Sequence, residues 1–108
     1  MLLFLFEEYV EDRLSHPTIV YDYPLSCSPL ARENPNMPGF AERFEIFCGG
    51  MELANAYSEL NDAVEQLERF KDVEGRDDEF LQALMHGMPP TAGLGLNSPF
   101  LLSPFFVL

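Results

Sequence analysis

Residues 42–62, ERFEIFCGGMELANAYSELND, contain the pattern that decides the fold. Polar and apolar side chains alternate on both sides of Gly49 and Gly50. Two alternating runs joined by a pair of glycines predict a β-hairpin, because tight hairpin turns require positive φ angles. The strands are predicted over residues 40–48 and 51–60, with Phe47 opposite Glu52.

Two acidic side chains fall on one face of this predicted hairpin. Glu45 and Glu52 lie diagonally across the strand pair, near enough to hold one ion between them. Mg²⁺ prefers oxygen ligands, so the spacing is compatible with a magnesium site. A solvated acidic face explains the same spacing, and spacing alone favours that simpler interpretation.

A second set of polar side chains follows in the same strand. Asn55, Tyr57 and Glu59 recur at a period of two, with small residues between them. A solvated face would explain the charge, whereas a face that lines a polar pocket would explain both the charge and the small neighbours, and the pattern alone leaves both interpretations open. In a regular strand the set would lie on the face opposite Glu45 and Glu52. A β-bulge around residues 53–55 would bring both sets onto one face, and the pattern leaves both arrangements open.

The flanking segments mix helical and extended patterns and predict an α+β domain over residues 1–96. A proline-rich loop is predicted over residues 24–38, with a short extended piece at 28–31. The other predicted elements are a helix over residues 2–14, a strand over 18–23, a helix over 63–72 capped by Asp62, and a helix beginning at Asp77 or Asp78 and ending near His86 and Gly87. Residues 97–108 carry no charge and are predicted to form an aberrant apolar tail that packs poorly or lies extended.

The composition indicates which kinds of partner this chain can bind and in which cellular compartment we expect it. Six Lys and Arg against 18 Asp and Glu give a formal net charge of −12, which disfavours direct binding of tRNA or DNA by this chain. Cys27 and Cys48 lack metal-ligand spacing and predict free thiols. No positive segment precedes the short apolar start, and no run approaches the ~18–20 apolar residues of a membrane span. A cytoplasmic protein without membrane attachment is therefore predicted.

Several segments together resemble the class II lysyl-tRNA synthetases. They are ERFEIFCGGMELANAYSELND (42–62), PTIVYDYP (17–24), SPLAR (28–32), DDEFLQAL (77–84) and HGMPPTAGLGL (86–96). Their order and spacing agree with that family over residues 3–96. The resemblance implies part of a class II catalytic domain, an antiparallel sheet with flanking helices.

The resemblance also implies roles for individual residues. The positions of Asn55, Tyr57 and Glu59 match residues that contact the lysine substrate, and those of Glu45 and Glu52 match ligands of the Mg²⁺ that accompanies ATP. Gly93 and Gly95 are implied on the nucleotide side. The family reaction is the ATP-dependent activation of lysine and its transfer to tRNA(Lys), in a homodimer.

The chain departs from the family pattern after Gly95. The family continues through a third glycine, an acidic residue and an arginine, whereas this sequence reads Leu96-Asn97-Ser98-Pro99. The family's first two sequence motifs, including the arginine that holds the α-phosphate, are also missing. We therefore expect a fragment that is inactive alone. The alternative is a non-catalytic acidic interaction or dimerisation module derived from a synthetase.

Overall fold

The computed structural model describes residues 2–72 and 77–97. Its centre is a four-stranded antiparallel sheet in the order β1-β2-β3-β4. The strands are β1 (Thr18–Pro24), β2 (Phe40–Cys48), β3 (Met51–Ser58) and β4 (Ala92–Leu96). Three α-helices flank them, α1 (Leu2–Tyr9), α2 (Ala63–Arg69) and α3 (Asp78–Met85), with 3-10 turns at Glu11–Arg13, Leu25–Cys27 and Phe70–Asp72. The predicted α+β class is confirmed.

The hairpin between β2 and β3 turns at the two glycines, as predicted. Gly49 and Gly50 have φ angles of 63° and 71°, which L-residues rarely adopt. A Cβ at Gly50 would also lie 3.2 Å from the Asp12 carbonyl oxygen. The glycine pair thus satisfies both the turn and the close approach of the chain before β1.

An irregularity in β3 settles which face carries each polar residue. Glu45 pairs with Asn55 and Phe47 pairs with Glu52, so the register shifts at Leu53. One extra residue in β3 reverses the alternation, because successive side chains point to opposite faces. Of the two arrangements that the sequence left open, the structure therefore has the one with a bulge, and Glu52 and Asn55 share one face with Glu45. We call this the site face.

A second register shift, between Tyr21 and Tyr23 in β1, adds an aromatic residue to the site face. Asp22 has a φ of 57°, a left-handed conformation that Asp tolerates better than most residues. Its carboxylate accepts a hydrogen bond from the Asn34 amide at 3.0 Å. Beyond it, Tyr23 pairs with Ala41 and is buried on the site face.

Helix α1 packs on the site face through Phe6, whose ring contacts the rings of Tyr23 and Phe47 edge-on. The predicted helix over residues 2–14 ends earlier, at Tyr9, and a 3-10 turn follows. By Leu14 the backbone is no longer helical, with φ −79° and ψ 69°. Gly50 and Gly49 donate their backbone N–H groups to the carbonyls of Leu14 and Ser15, at 3.1 and 3.2 Å, so those carbonyls lie beside the turn.

Helices α2 and α3 form a smaller apolar cluster beside the sheet. Asp62 accepts hydrogen bonds from the backbone N–H groups of Val64 and Glu65, which confirms the predicted cap. In α3, Asp77 caps the first turn and His86 is the last capping residue, before Gly87 with a φ of 104°. Leu60, Phe70, Leu81 and Leu84 are buried between the helices and the end of β3.

The other face of the sheet is apolar and largely uncovered by described residues. Large side chains on it include Ile19, Tyr21, Phe44, Leu94 and Leu96. Strand β4 was missed by the sequence analysis. The sequence EGRDD predicts a polar loop at residues 74–78, of which 74–76 lie outside the described residues and Asp77 and Asp78 begin α3; the tail beyond Asn97 also lies outside them. Within the described ranges, no helix is long and apolar enough to cross a membrane.

Candidate functional site

The site face is built around a buried carboxylate on β2. Glu45 is only 7% exposed, and each of its two carboxylate oxygens accepts a hydrogen bond. Tyr23 donates its hydroxyl to Oε2 at 2.7 Å, and Arg43 donates from Nη2 to Oε1. Burial, followed by the hydrogen bond to Glu45 and the charge of Glu45, raises the pKa of Tyr23 well above its ordinary value. Tyr23 therefore stays a neutral donor, and the Glu45 charge is offset by Arg43.

Arg43 also joins this carboxylate to β3 and to a loop. Its Nε donates to the Asn55 side-chain oxygen at 3.3 Å, and its Nη1 donates to the Cys27 carbonyl at 3.1 Å and the Ser28 hydroxyl at 3.0 Å. The guanidinium carbon lies 4.7 Å from the centre of the Tyr23 ring, a cation–π distance.

The loop at residues 27–31 is held from its other side by helix α2. Gln66, fully buried, donates from Nε2 to the Pro29 carbonyl at 3.0 Å, and Arg69 donates to the Ala31 carbonyl. Residues 27–31, Arg43, Asn55 and Tyr57 line an open cavity of about 170 Å³. This is smaller than the ~300 Å³ at which pockets for drug-sized ligands begin, so the cavity suits a small metabolite or part of one.

Glu59 lies just beyond β3, where it forms a single β-bridge with Ala31 of the cavity wall. Its carboxylate has no hydrogen-bond or ion-pair partner among the described side chains. Partial burial raises its pKa above the usual value of a glutamate. Burial, and then the charge of Glu59, raises the pKa of Tyr57. A carboxylate without a cationic partner among the described residues, beside a half-buried phenol, is a favourable environment for a small cation.

Strand β4 leaves room for this carboxylate, because a glycine lies beside it. Gly93 pairs with Tyr57 and Gly95 pairs with Asn55, both on the site face. A Cβ at Gly93 would lie 3.0 Å from Oε1 of Glu59. The glycine therefore leaves the space that the carboxylate occupies. A nucleotide role for these two glycines stays a prediction.

The two candidate metal ligands also lie on the site face. Burial, followed by repulsion from the Glu45 charge, raises the pKa of Glu52, with Arg43 acting in the opposite sense. A divalent cation between the two would relieve this repulsion. No group of three or more potential metal-ligating side chains is found in residues 2–72 and 77–97. Two carboxylates completed by phosphate oxygens and water nevertheless fit Mg²⁺, which is often bound in that way.

The structure brings all five predicted acidic, amide and phenol residues onto one face, but the sequence analysis missed Arg43, Tyr23 and Ser28. Arg43 could have been identified from the alternation of side chains along the predicted strand. It stands two residues before Glu45, so in a strand the two opposite charges share a face. Tyr23 could not, because its face depends on the register shift at Asp22.

Comparison with known families identifies the group of proteins to which the chain belongs. Residues 3–98 match the family model described as tRNA synthetases class II (D, K and N). The chain therefore belongs to the class II tRNA synthetases of this group.

Among individual proteins, the chain is similar to lysine–tRNA ligases. It is 47% identical to that of Helicobacter hepaticus, 48% to that of Leuconostoc mesenteroides and 49% to that of Mycoplasma capricolum, over alignments of 103 residues. Each alignment covers 85% of this chain but only 20% or 21% of the relative. The chain thus spans about one fifth of the length of these relatives.

Proposed function

We propose that this chain forms the lysine-binding wall of a lysine–tRNA ligase catalytic site. The observation that supports this most is Glu59, a half-buried carboxylate on the site face without a cationic partner among the described residues. A group of this kind destabilises the fold slightly unless a ligand neutralises it. The ammonium group of lysine would do so.

The neighbouring side chains suit the rest of the same ligand. The Tyr57 ring can pack against an alkyl stem, and the Asn55 amide can bind a polar group of the substrate. Glu45 and Glu52 would hold Mg²⁺, which when bound offsets the charge of ATP phosphates. In this proposal these residues bind and orient lysine and ATP, and none of them is assigned a part in the transfer to tRNA(Lys).

We therefore expect the isolated chain to bind lysine weakly and to catalyse no lysine-dependent ATP–pyrophosphate exchange. Both family arginines that would offset phosphate charge are absent from the sequence. The loss of one such preorganised group typically slows a reaction about 10²–10³-fold. Exchange above that of a heat-treated sample, abolished by Glu59→Gln, would refute the proposed inactivity.

Lysine binding can be measured directly by titrating the isotope-labelled chain with L-lysine and following backbone amide NMR signals. Norleucine, which has a similar stem without the terminal ammonium, is the ligand control. Glu59→Gln should remove the preference for lysine over norleucine. Glu68→Gln should not, since Glu68 is an exposed residue paired with Lys71. A folded wild-type chain without this preference would refute the proposal and favour the interaction-module alternative.

A further inference from the structure

We infer that Arg43 is a positioning residue that fixes the orientation of the Asn55 amide and joins it to the loop at residues 27–28. This inference deepens the proposed function and rests on it for the identity of the ligand. It assigns to Arg43 a role in pocket geometry that is separate from the neutralisation of Glu45.

The guanidinium of arginine has hydrogen-bond donors only, and this fixes which end of the Asn55 side-chain amide faces Arg43. A guanidinium carries five N–H donors and no acceptor. Only the carbonyl oxygen of the Asn55 amide can therefore face Arg43, at 3.3 Å from Nε. Both Nδ2 hydrogens then point elsewhere, and they have no acceptor among the described residues. The amide is set as a donor to whatever occupies the cavity, and a ligand must offer it an acceptor oxygen.

Three of the other four donors of Arg43 bind other parts of the wall. Nη1 spans the Cys27 carbonyl and the Ser28 hydroxyl, and Nη2 binds Glu45. The Tyr23 ring lies against the guanidinium, and the side chain is only 17% exposed. One planar group thus bridges β2, β3 and the loop, and it has little freedom to rotate. A change in the loop position would be transmitted to Asn55.

Arg43→Lys separates this geometric role from charge neutralisation. An ammonium on a flexible stem can still pair with Glu45, but it cannot reach Asn55, Cys27 and Ser28 in one fixed plane. Ser28→Ala is the milder variant, because it removes one acceptor and leaves all charges intact. Arg32→Lys is the matched control, since Arg32 forms an exposed pair with Glu42.

The first measurement needs no ligand. In the labelled 108-residue chain, the Asn55 side-chain NH2 signals should shift toward those of a free amide in Arg43→Lys. The backbone amides of Ser28 and Ala31, which close the loop turns onto Leu25 and Ser28, should exchange with solvent at least 10-fold faster, as expected for a local opening. Ser28→Ala should change them less, and Arg32→Lys not at all. Unchanged Asn55 and loop signals in a folded Arg43→Lys chain would overturn the inference.

The second measurement uses L-lysine and norleucine as probes. Arg43→Lys should weaken the binding of both probes by about 10-fold, the size expected for the loss of one hydrogen bond in a charged site. The ratio of their affinities should stay within about twofold, because Glu59 still binds the terminal ammonium. A collapse of that ratio would show that Arg43 acts on the whole pocket rather than on Asn55. A wild-type chain that binds neither probe would refute the proposed function, while the ligand-free signals would still decide the role of Arg43.

Discussion

The same substitution at the two candidate metal ligands should have opposite consequences for stability. Glu45 is buried and accepts hydrogen bonds from both Arg43 and Tyr23. Glu52 accepts none through its carboxylate from the described side chains, and burial together with repulsion from Glu45 raises its pKa. Replacement by glutamine conserves shape and removes the charge. It therefore tests whether each charge stabilises or strains the fold.

The magnitude follows from the partners that remain. Glu45→Gln leaves the guanidinium of Arg43 largely buried without a countercharge. The NH2 group of the glutamine would also face a hydrogen-bond donor, either Arg43 or Tyr23, to which it cannot act as an acceptor. Losing a charge-assisted hydrogen bond costs about 1.5–3 kcal/mol, so we expect a loss of about 2–3 kcal/mol in the free energy of unfolding. Glu52→Gln should be neutral or stabilising by up to about 0.5 kcal/mol, because the site is partly solvated and screened.

Urea denaturation of the two variants, followed by circular dichroism, measures this difference. With an m value of roughly 1.5 kcal/mol/M, the midpoint of Glu45→Gln should fall by about 1.3–2 M, while that of Glu52→Gln stays the same or rises. Glu68→Gln, in an exposed pair with Lys71, controls for the general effect of removing a negative charge. Equal destabilisation by both substitutions, or a larger effect at Glu52, would refute the assigned hydrogen-bond network.

Three further predictions concern the neighbouring positions. The raised pKa of Glu59 means that the folded chain binds a proton more readily than the unfolded chain. The contribution of Glu59 to the free energy of unfolding should therefore increase as the pH falls from 7 toward the pKa of the unfolded chain, near 4.5. Glu59→Gln should raise the melting temperature at pH 7 and make the melting temperature less dependent on pH. Gly93→Ala should displace the Glu59 carboxylate and weaken lysine binding about 10-fold, as for a lost charged contact. Deletion of residues 98–108 should increase the soluble yield, because the segment is uncharged and apolar, whereas deletion from residue 97 also removes the hydrogen bonds of Asn97 to Leu53 and Glu52.

Each of these has a contradicting outcome. A melting temperature of Glu59→Gln that is lower at pH 7 and equally dependent on pH would show that the carboxylate is stabilised by its surroundings. Unaltered lysine affinity in Gly93→Ala would mean that Glu59 moves aside without consequence. Unfolding of a soluble monomer on deletion of residues 98–108 would show that the tail belongs to the core, contrary to the sequence-based prediction.

Much of the fold follows from short stretches of sequence, because local chemistry is sufficient for each. The glycine pair at the hairpin turn adopts φ angles that other residues avoid, and Asp62 and Asp77 supply side-chain acceptors for the first turns of α2 and α3. Strand β4 was not predicted since its sequence, AGLGL, has no β-branched residue and two glycines. Its assignment required a neighbouring strand with free backbone groups.

The sequence by itself determined that Asn55, Tyr57 and Glu59 share a face, and that Glu45 and Glu52 do. Only the tertiary structure decided that these two faces are the same one, through the extra residue at Leu53. The physical reason is that alternation specifies relative side-chain direction within an uninterrupted strand, whereas a bulge depends on how the partner strand pairs. The contacts of Arg43 with Asn55 and the loop at residues 27–28 likewise join segments 12 to 16 residues apart. No local pattern encodes a hydrogen bond between groups that meet only after the sheet and loop have packed together.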